Sequence, residues 1–322
     1  MEKIPVVAVV GPTATGKSRL AAQIAKNLGG EVVSADSMQI YKGMDIGTAK
    51  PSEEEMLGVP HHLIGFLEPG KPFSAADYVS IASKCIKEIY ARGNLPVLAG
   101  GTGLYIRSLL CNVSFPPGSR DEKLRAALYE KAGKAGSGAL VEELRAFDPQ
   151  SAEKIHPNNL GRLVRAIEIY RVTGITMTEH VKRSKDIPPP YDACVIGLTF
   201  NDRQALYGRI NARVDKMMES GLLEEARRTA GLKNAPTAMQ AIGYKEFIPY
   251  FEGKCSLEEA VGQIKRESRR YAKRQLTWFR RGGGINWIAV DECSDFDIVY
   301  NKAVGFIDAK GWRQWTAKNR ED

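Results

Sequence analysis

Ile4-Pro-Val-Val-Ala-Val-Val10, followed at once by Gly11-Pro12-Thr13-Ala14-Thr15-Gly16-Lys17-Ser18, is the stretch that decides the fold. The first part is an apolar run of the kind a strand buried on both faces carries. The second satisfies G-x-x-x-x-G-K-[ST], and a helical periodicity begins at Lys17 and runs to Leu28. In a strand, glycine loop and helix of this order, backbone N–H groups turn inward around phosphate oxygens. Lys17 adds a positive charge, the helix N-terminus adds its dipole, and Ser18 can hold Mg²⁺. The motif establishes binding of a di- or triphosphate and says nothing yet about hydrolysis.

Outward from that loop, short strands alternate with helices. Glu31 to Ala35 and Leu95 to Ala99 read as strands and Ser74 to Ala91 as a helix, the pattern of a P-loop-containing parallel sheet flanked by helices. From Gly118 to Pro190 the texture is helical, with runs at Asp121 to Lys131 and Leu160 to Val172. Pro116-Pro117-Gly118 and Pro188-Pro189-Pro190 bracket this block as plausible hinges. Strand character returns at Ala193 to Thr199 and at Asn286 to Val290. The expected organisation is an α/β core over 1–117 and 191–322, interrupted by an all-helical insertion at 118–190.

The 322 residues, 43% hydrophobic, suffice for a sizeable core, which excludes a disordered chain. No run approaches the roughly 18 apolar residues of a membrane span. The apolar N-terminus superficially suggests a signal peptide but leads into the glycine loop, so it reads as a strand in a cytoplasmic protein. Five scattered cysteines without a Cys-x-x-Cys pair argue against a disulfide framework and a zinc ribbon. The net charge of +8 is concentrated: between Gln263 and Arg281 stand eight bases (Lys265, Arg266, Arg269, Arg270, Lys273, Arg274, Arg280, Arg281) and one acid, Glu267. Ser256-Leu-Glu-Glu259 opens this segment as a capping-box helix to about Arg281, with Ile264, Tyr271 and Trp278 expected on one packed face. A charge run is usually a solvated face, but here bases outnumber acids too far for intrahelical pairing, and phosphate contacts are the better reading.

Individual residues keep two readings at this point. Asp36 is a turn residue or faces the acceptor of a transferred group, and Asp291 resembles an ATPase's acidic strand end but lies in an acidic stretch typical of a solvated turn. Thr102, among Gly100, Gly101 and Gly103, suits a helix N-cap. Arg209 and Arg213 are a helical turn apart, either surface residues beside Asp215 or a guanidinium clamp. His61 and His62 are adjacent, so they do not converge on a metal and are assigned to structure.

The combination of Asp36-Ser-Met-Gln39-Ile-Tyr41, Met44-Asp-Ile-Gly-Thr-Ala-Lys-Pro51, Pro60-His-His-Leu63, Gly100-Gly-Thr-Gly-Leu-Tyr105, Ile155-His-Pro-Asn158, Arg209-Ile-Asn-Ala-Arg213, Gln240-Ala-Ile-Gly-Tyr244-Lys245 and Lys273-Arg-Gln-Leu-Thr-Trp-Phe-Arg280 resembles the tRNA dimethylallyltransferases over nearly the whole chain. Departures are small, such as Ser18 where threonine is more usual and Gly161 before Arg162. The resemblance implies transfer of a dimethylallyl group from dimethylallyl diphosphate to N6 of the adenosine 3′ of the anticodon, in an Mg²⁺-dependent reaction. It implies Asp36 as general base, Thr102 and Arg213 as further catalytic residues, and the phosphate loop with Arg209 as the diphosphate site. The tRNA anticodon stem-loop is expected on Ser37, Met38, Gln39, Arg125, Arg162, Arg165, Gln240, Gly243, Tyr244, Lys245, Lys273, Arg274, Gln275, Thr277, Trp278 and Arg280. The helical insertion and the basic helix are expected to grip it from different sides of a monomer, without any membrane. The competing readings are a P-loop small-molecule kinase, a prenyltransferase of free adenine nucleotides and a non-enzymatic RNA-binding module.

Overall fold

The computed structural model describes residues 3–113, 115, 121–232 and 238–312. Its strands are β1 (Ile4–Val10), β2 (Gly30–Ser34), β3 (His61–His62), β4 (Leu95–Gly100), β5 (Tyr191–Thr199) and β6 (Ile285–Ala289). All pair in parallel, in the order β3-β2-β4-β1-β5-β6. β1 is central because it is apolar on both faces: Val7 pairs with Val97 on one side and Cys194 on the other, and Val6 to Val10 are fully buried.

The helices, in chain order, are α1 (Lys17–Asn27), α2 (Ala75–Ala91), α3 (Gly103–Leu110), α4 (Glu122–Ala135), α5 (Gly138–Arg145), α6 (Pro149–Lys154), α7 (Leu160–Thr173), α8 (Met177–Lys185), α9 (Arg203–Glu219), α10 (Leu222–Ala230), α11 (Ile248–Phe251), α12 (Leu257–Arg280) and α13 (Phe296–Asp308). Ser74 and Ser256 begin α2 and α12 with capping boxes, each hydroxyl accepting from the N3 amide while the N3 carboxylate answers. The chain divides into two compact units, Met1–Leu109 with Pro190–Asp322, and Leu110–Pro189. The boundary expected between 117 and 118, with the hinge Pro116-Pro117-Gly118, lies outside the described residues.

In the α/β unit, Leu20 and Ile24 of α1 and Val299 and Ile307 of α13 pack in one apolar cluster with Val7, Val97 and Ile196 of the sheet. A second cluster joins Tyr41 and Met44 to Val214 of α9, Leu222 of α10, Tyr244, Phe247 and Ile264 of α12. The face expected for α12 needs correction. Its buried residues are Ala260, Ile264, Ala272, Gln275 and Phe279, whereas Trp278 is 41% exposed. Two heptads shift Trp278 only about 40° from Ile264, so it stands at the edge of the stripe, packed over Gly103 with the rest of its surface exposed.

The helical unit contains α4 to α8 around Leu128, Leu140, Leu144, Leu163 and Ile167, and no strand among its described residues. Two acids are buried among its described residues, Glu168 and Asp148; Glu168 accepts from the Asp121 backbone N–H and lies 3.6 Å from Arg125 and 2.7 Å from Arg165. Asp148 accepts from Ser151 and Thr178, stitching α6 to α8; burial would raise its pKa, but these hydrogen bonds lower it.

Candidate active site

The phosphate loop is bent by three residues with positive φ, Gly11 at 137°, Ala14 at 65° and Gly16 at 93°. Only glycine fits at 11, because a Cβ there would lie 2.3 Å from the Leu198 carbonyl oxygen of β5. Ala14 is a strained non-glycine position, and the structure holds it: Arg209 Nε donates to the Ala14 carbonyl at 3.0 Å. One turn later on α9, Arg213 donates to the Thr13 hydroxyl at 2.9 Å. The two arginines therefore point at the loop, and Asp215 pairs with Lys265 of α12 at 2.5 Å instead. Thr15 and Lys17 both donate to the Pro12 carbonyl, at 2.9 and 2.6 Å. Burial lowers the Lys17 pKa to about 7, with the like charge of Arg213 adding to it and Asp36 opposing.

Asp36 follows β2 in the same cleft. Its Oδ1 accepts from the backbone N–H groups of Met38 and Gln39, so it is a turn residue, but among the described residues no hydrogen bond is made to Oδ2. The cleft encloses about 1240 Å³, and its lining includes Thr13, Lys17, Ser18, Asp36, Arg213 and Tyr271. That is above the roughly 300–1,000 Å³ of ordinary small-molecule pockets. Thr102 is not a lining residue. Its carbonyl begins α3, and its hydroxyl accepts from the Ser37 N–H at 3.0 Å.

One wall is the Asp45–Pro51 segment. Glu225, 2% exposed on α10, accepts from the backbone N–H groups of Asp45, Ile46 and Gly47 and from the Tyr244 hydroxyl, all at 2.8 to 2.9 Å for the amides and 2.7 Å for the phenol. Gln39 Nε2 donates to the carbonyls of Thr48 and Ala49, and Lys50 Nζ to that of Tyr41. Sequence reasoning missed Glu225. The available signal was a carboxylate on the buried stripe Leu222, Glu225, Ala226 and Thr229 of an amphipathic helix.

The residues expected on tRNA are placed unevenly. Ser37, Met38, Gln240, Gly243, Lys245 and Arg274 line the cleft, and Lys273, Thr277, Trp278 and Arg280 are exposed along α12. Among the described residues Lys273, Arg274, Arg280 and Arg281 have no ion pair, whereas Arg270 pairs with Glu267 and Arg269 donates to Asn211. Arg162 is exposed on α7, while Arg125 and Arg165 are drawn onto Glu168. Tyr244 and Gln275 are corrections. Tyr244 is fully buried with its hydroxyl on Glu225 and is not open to RNA, while Gln275 borders the cleft with both ends of its amide already bonded to the chain's own backbone. Gln39 also lines the cleft, but its amide is committed within the wall.

Asp291 gives both carboxylate oxygens to the N–H groups of Asn201 and Asp202 at 3.0 and 2.7 Å, which makes it a turn-fixing residue. His62 bonds Glu31 and His61 bonds the Val59 carbonyl, as structural histidines. Among the described residues no three His, Cys, Asp or Glu side chains converge as a metal cage. A hard cation that keeps its waters and takes ligand phosphates needs one or two protein oxygens, and the exposed Ser18 hydroxyl in the cleft fits Mg²⁺ on those terms.

The profile of the IPP transferase family matches residues 39–282. The chain is 52% identical over 302 residues to the tRNA dimethylallyltransferase of Bacillus velezensis, covering 94% of this chain and 95% of the relative. Among solved structures it is similar to the full-length tRNA isopentenylpyrophosphate transferase of Bacillus halodurans, with a TM-score of 0.72, 44% identity and coverage of 99% of this chain and 100% of that one. A eukaryotic dimethylallyltransferase acting on tRNA matches with a TM-score of 0.78 at 29% identity, over 91% of this chain and 76% of that one.

Proposed function

This chain belongs to the IPP transferase family, and from that premise we propose that it transfers a dimethylallyl group from dimethylallyl diphosphate to N6 of the adenosine 3′ of the anticodon in tRNA, releasing diphosphate. The observation that carries the reading is one cleft holding a phosphate loop, two arginines aimed at that loop, and a carboxylate with an oxygen to spare.

An adenine amine is a weak nucleophile because its lone pair is delocalised into the ring. As the N6–carbon bond forms and the carbon–oxygen bond of the donor breaks, the electron pair leaves with the diphosphate and the N6 proton needs an acceptor. Asp36 Oδ2 takes that proton, while the bonds to Oδ1 keep the carboxylate oriented. Lys17 and Arg213 receive the charge that develops on the leaving group, and Arg209 keeps Ala14 in its strained turn so that the loop stays formed. Mg²⁺, held by Ser18 and the substrate, supplies further positive charge to the diphosphate when bound. A cleft of this volume has room for a flipped base beside the prenyl donor.

The reading extends to the anticodon stem-loop as the RNA element held, with Lys273, Arg274 and Arg280 of α12, which make no ion pair among the described residues, on its phosphates, and to a monomer acting in the cytoplasm. The five free cysteines suit that compartment. A kinase reading is not favoured, because Asp291 is spent on backbone amides. The test is mass analysis of bulk tRNA incubated with the protein, Mg²⁺ and dimethylallyl diphosphate, with Asp36→Asn alongside. One added prenyl unit on the adenosine is expected, with turnover reduced about a hundredfold or more in the variant and tRNA binding within a few-fold. Unmodified tRNA together with tRNA-stimulated ATP hydrolysis would instead indicate phosphoryl transfer.

A further inference from the structure

Gln275 stands out on α12 as a polar residue, 5% exposed, in the otherwise apolar buried stripe of Ala260, Ile264, Ala272 and Phe279. Burying a carboxamide is unfavourable unless both its ends are bonded. Both are. Oε1 accepts from the Thr13 N–H at 2.9 Å, and Nε2 donates to the Gly101 carbonyl at 3.1 Å. A single side chain thus spans the phosphate loop and the turn that carries Thr102.

The surroundings are built to admit it. A Cβ on Gly101 would lie 2.0 Å from Gln275 Nε2, so any larger residue there would eject the amide. Three residues further along α12, Trp278 rests on Gly103 in the same manner, its Cδ1 2.0 Å from where a Cβ would be. Thr13 is gripped twice, by Gln275 through its N–H and by Arg213 through its hydroxyl. On the other side, the Thr102 hydroxyl fixes the Ser37 N–H next to Asp36.

We propose that Gln275 is a positioning residue: its amide holds the phosphate loop in register with the Gly101–Thr102 turn, and so sets the diphosphate of the donor against the groups that meet the acceptor base. The inference rests on the prenyl-transfer reading for what the two loops do. Reaction between two bound partners is sensitive to such register, since an error of about 1 Å can cost about a hundredfold in rate. Gln275 borders the cleft, but both ends of its amide are spent on Thr13 and Gly101, and it acts through them.

The experiment compares the parent with Gln275→Met, which keeps length and removes both hydrogen bonds, and with Gly101→Ala, which displaces the amide from the other side and leaves α12 unaltered. Three quantities are measured on the full chain: the melting temperature, the affinity for inorganic diphosphate, and the separate kcat and KM for tRNA. Both variants are expected to lower kcat about tenfold or more and to weaken diphosphate binding several-fold, with KM for tRNA within about threefold. A change confined to KM for tRNA would make Gln275 an RNA contact and overturn the proposal. So would a lower melting temperature with kcat and diphosphate affinity unchanged. If Gln275→Met does not fold, Gly101→Ala decides alone. Diphosphate affinity needs no turnover, so if the parent transfers no prenyl group the function reading fails while this arm still judges Gln275: weakened binding supports the role, and parental binding overturns it.

Discussion

Arg213 and Thr13, 200 residues apart in the chain, meet in a 2.9 Å hydrogen bond from guanidinium to hydroxyl at the mouth of the phosphate loop. Arg213→Ala should lower kcat/KM for dimethylallyl diphosphate by about a hundredfold or more, the scale for losing one preorganised donor to a developing anion. Thr13→Ala should cost less, because the arginine remains. Steady-state kinetics of the two single variants and the double variant should show non-additivity, since they share one bond.

The state of Lys17 gives a proton-linked prediction. Its pKa, lowered to about 7 by burial and by Arg213, leaves it largely neutral in the empty site at about pH 8, and a bound anion pulls the pKa back up. Above pH 7 the parent should therefore take up more protons on binding diphosphate than Lys17→Met does, by roughly one per site at about pH 8, and this difference should vanish well below pH 7 where Lys17 is already charged. Calorimetry with inorganic diphosphate in two buffers of different ionisation heat measures this directly. Lys17→Met should remove the uptake attributable to the side chain.

Glu225 and Tyr244 should separate by stability. Glu225→Ala strands three part-buried backbone N–H groups and a buried phenol, and should cost about 3 kcal/mol, whereas Tyr244→Phe removes one donor and should cost about 1 kcal/mol. Urea unfolding at constant m-value distinguishes them. Equal costs would mean that the wall segment is not held through the carboxylate.

Salt dependence should report which bases meet RNA. Lys273→Glu and Arg280→Glu, both exposed and without ion pairs among the described residues, should flatten the logarithmic salt slope of tRNA binding by about one unit for each lost contact. Arg270→Glu should change it less, because Arg270 already pairs with Glu267 at 2.6 Å.

What was legible in the sequence was whatever is decided locally. The apolar run of β1, the glycine loop and the capping boxes each declare themselves within a few residues, and β2, β4, α2 and α12 fall within one or two residues of their expected bounds. Asp36 and Arg213 were reachable because motif spacing carries them, although local spacing alone left Arg209 and Arg213 equally readable as surface residues beside Asp215, whose partner Lys265 is on another helix. Glu225 and Gln275 were not legible in role. Their partners lie about 180 and 262 residues away, and no local pattern says which backbone amide a buried polar side chain will find. The two-residue β3 is too short for any periodicity to show.

The strand order also shapes how the protein is made. β1 can pair with β4 once about a hundred residues have left the ribosome, but its other edge waits for β5, which begins at Tyr191. Until then the nascent chain carries an uncapped, wholly apolar strand edge, a surface that invites chaperones or self-association. The same delay governs the glycine loop, because the side chains that hold it, Arg209, Arg213 and Gln275, come later still. The first catalytic element translated is thus among the last to take its working shape.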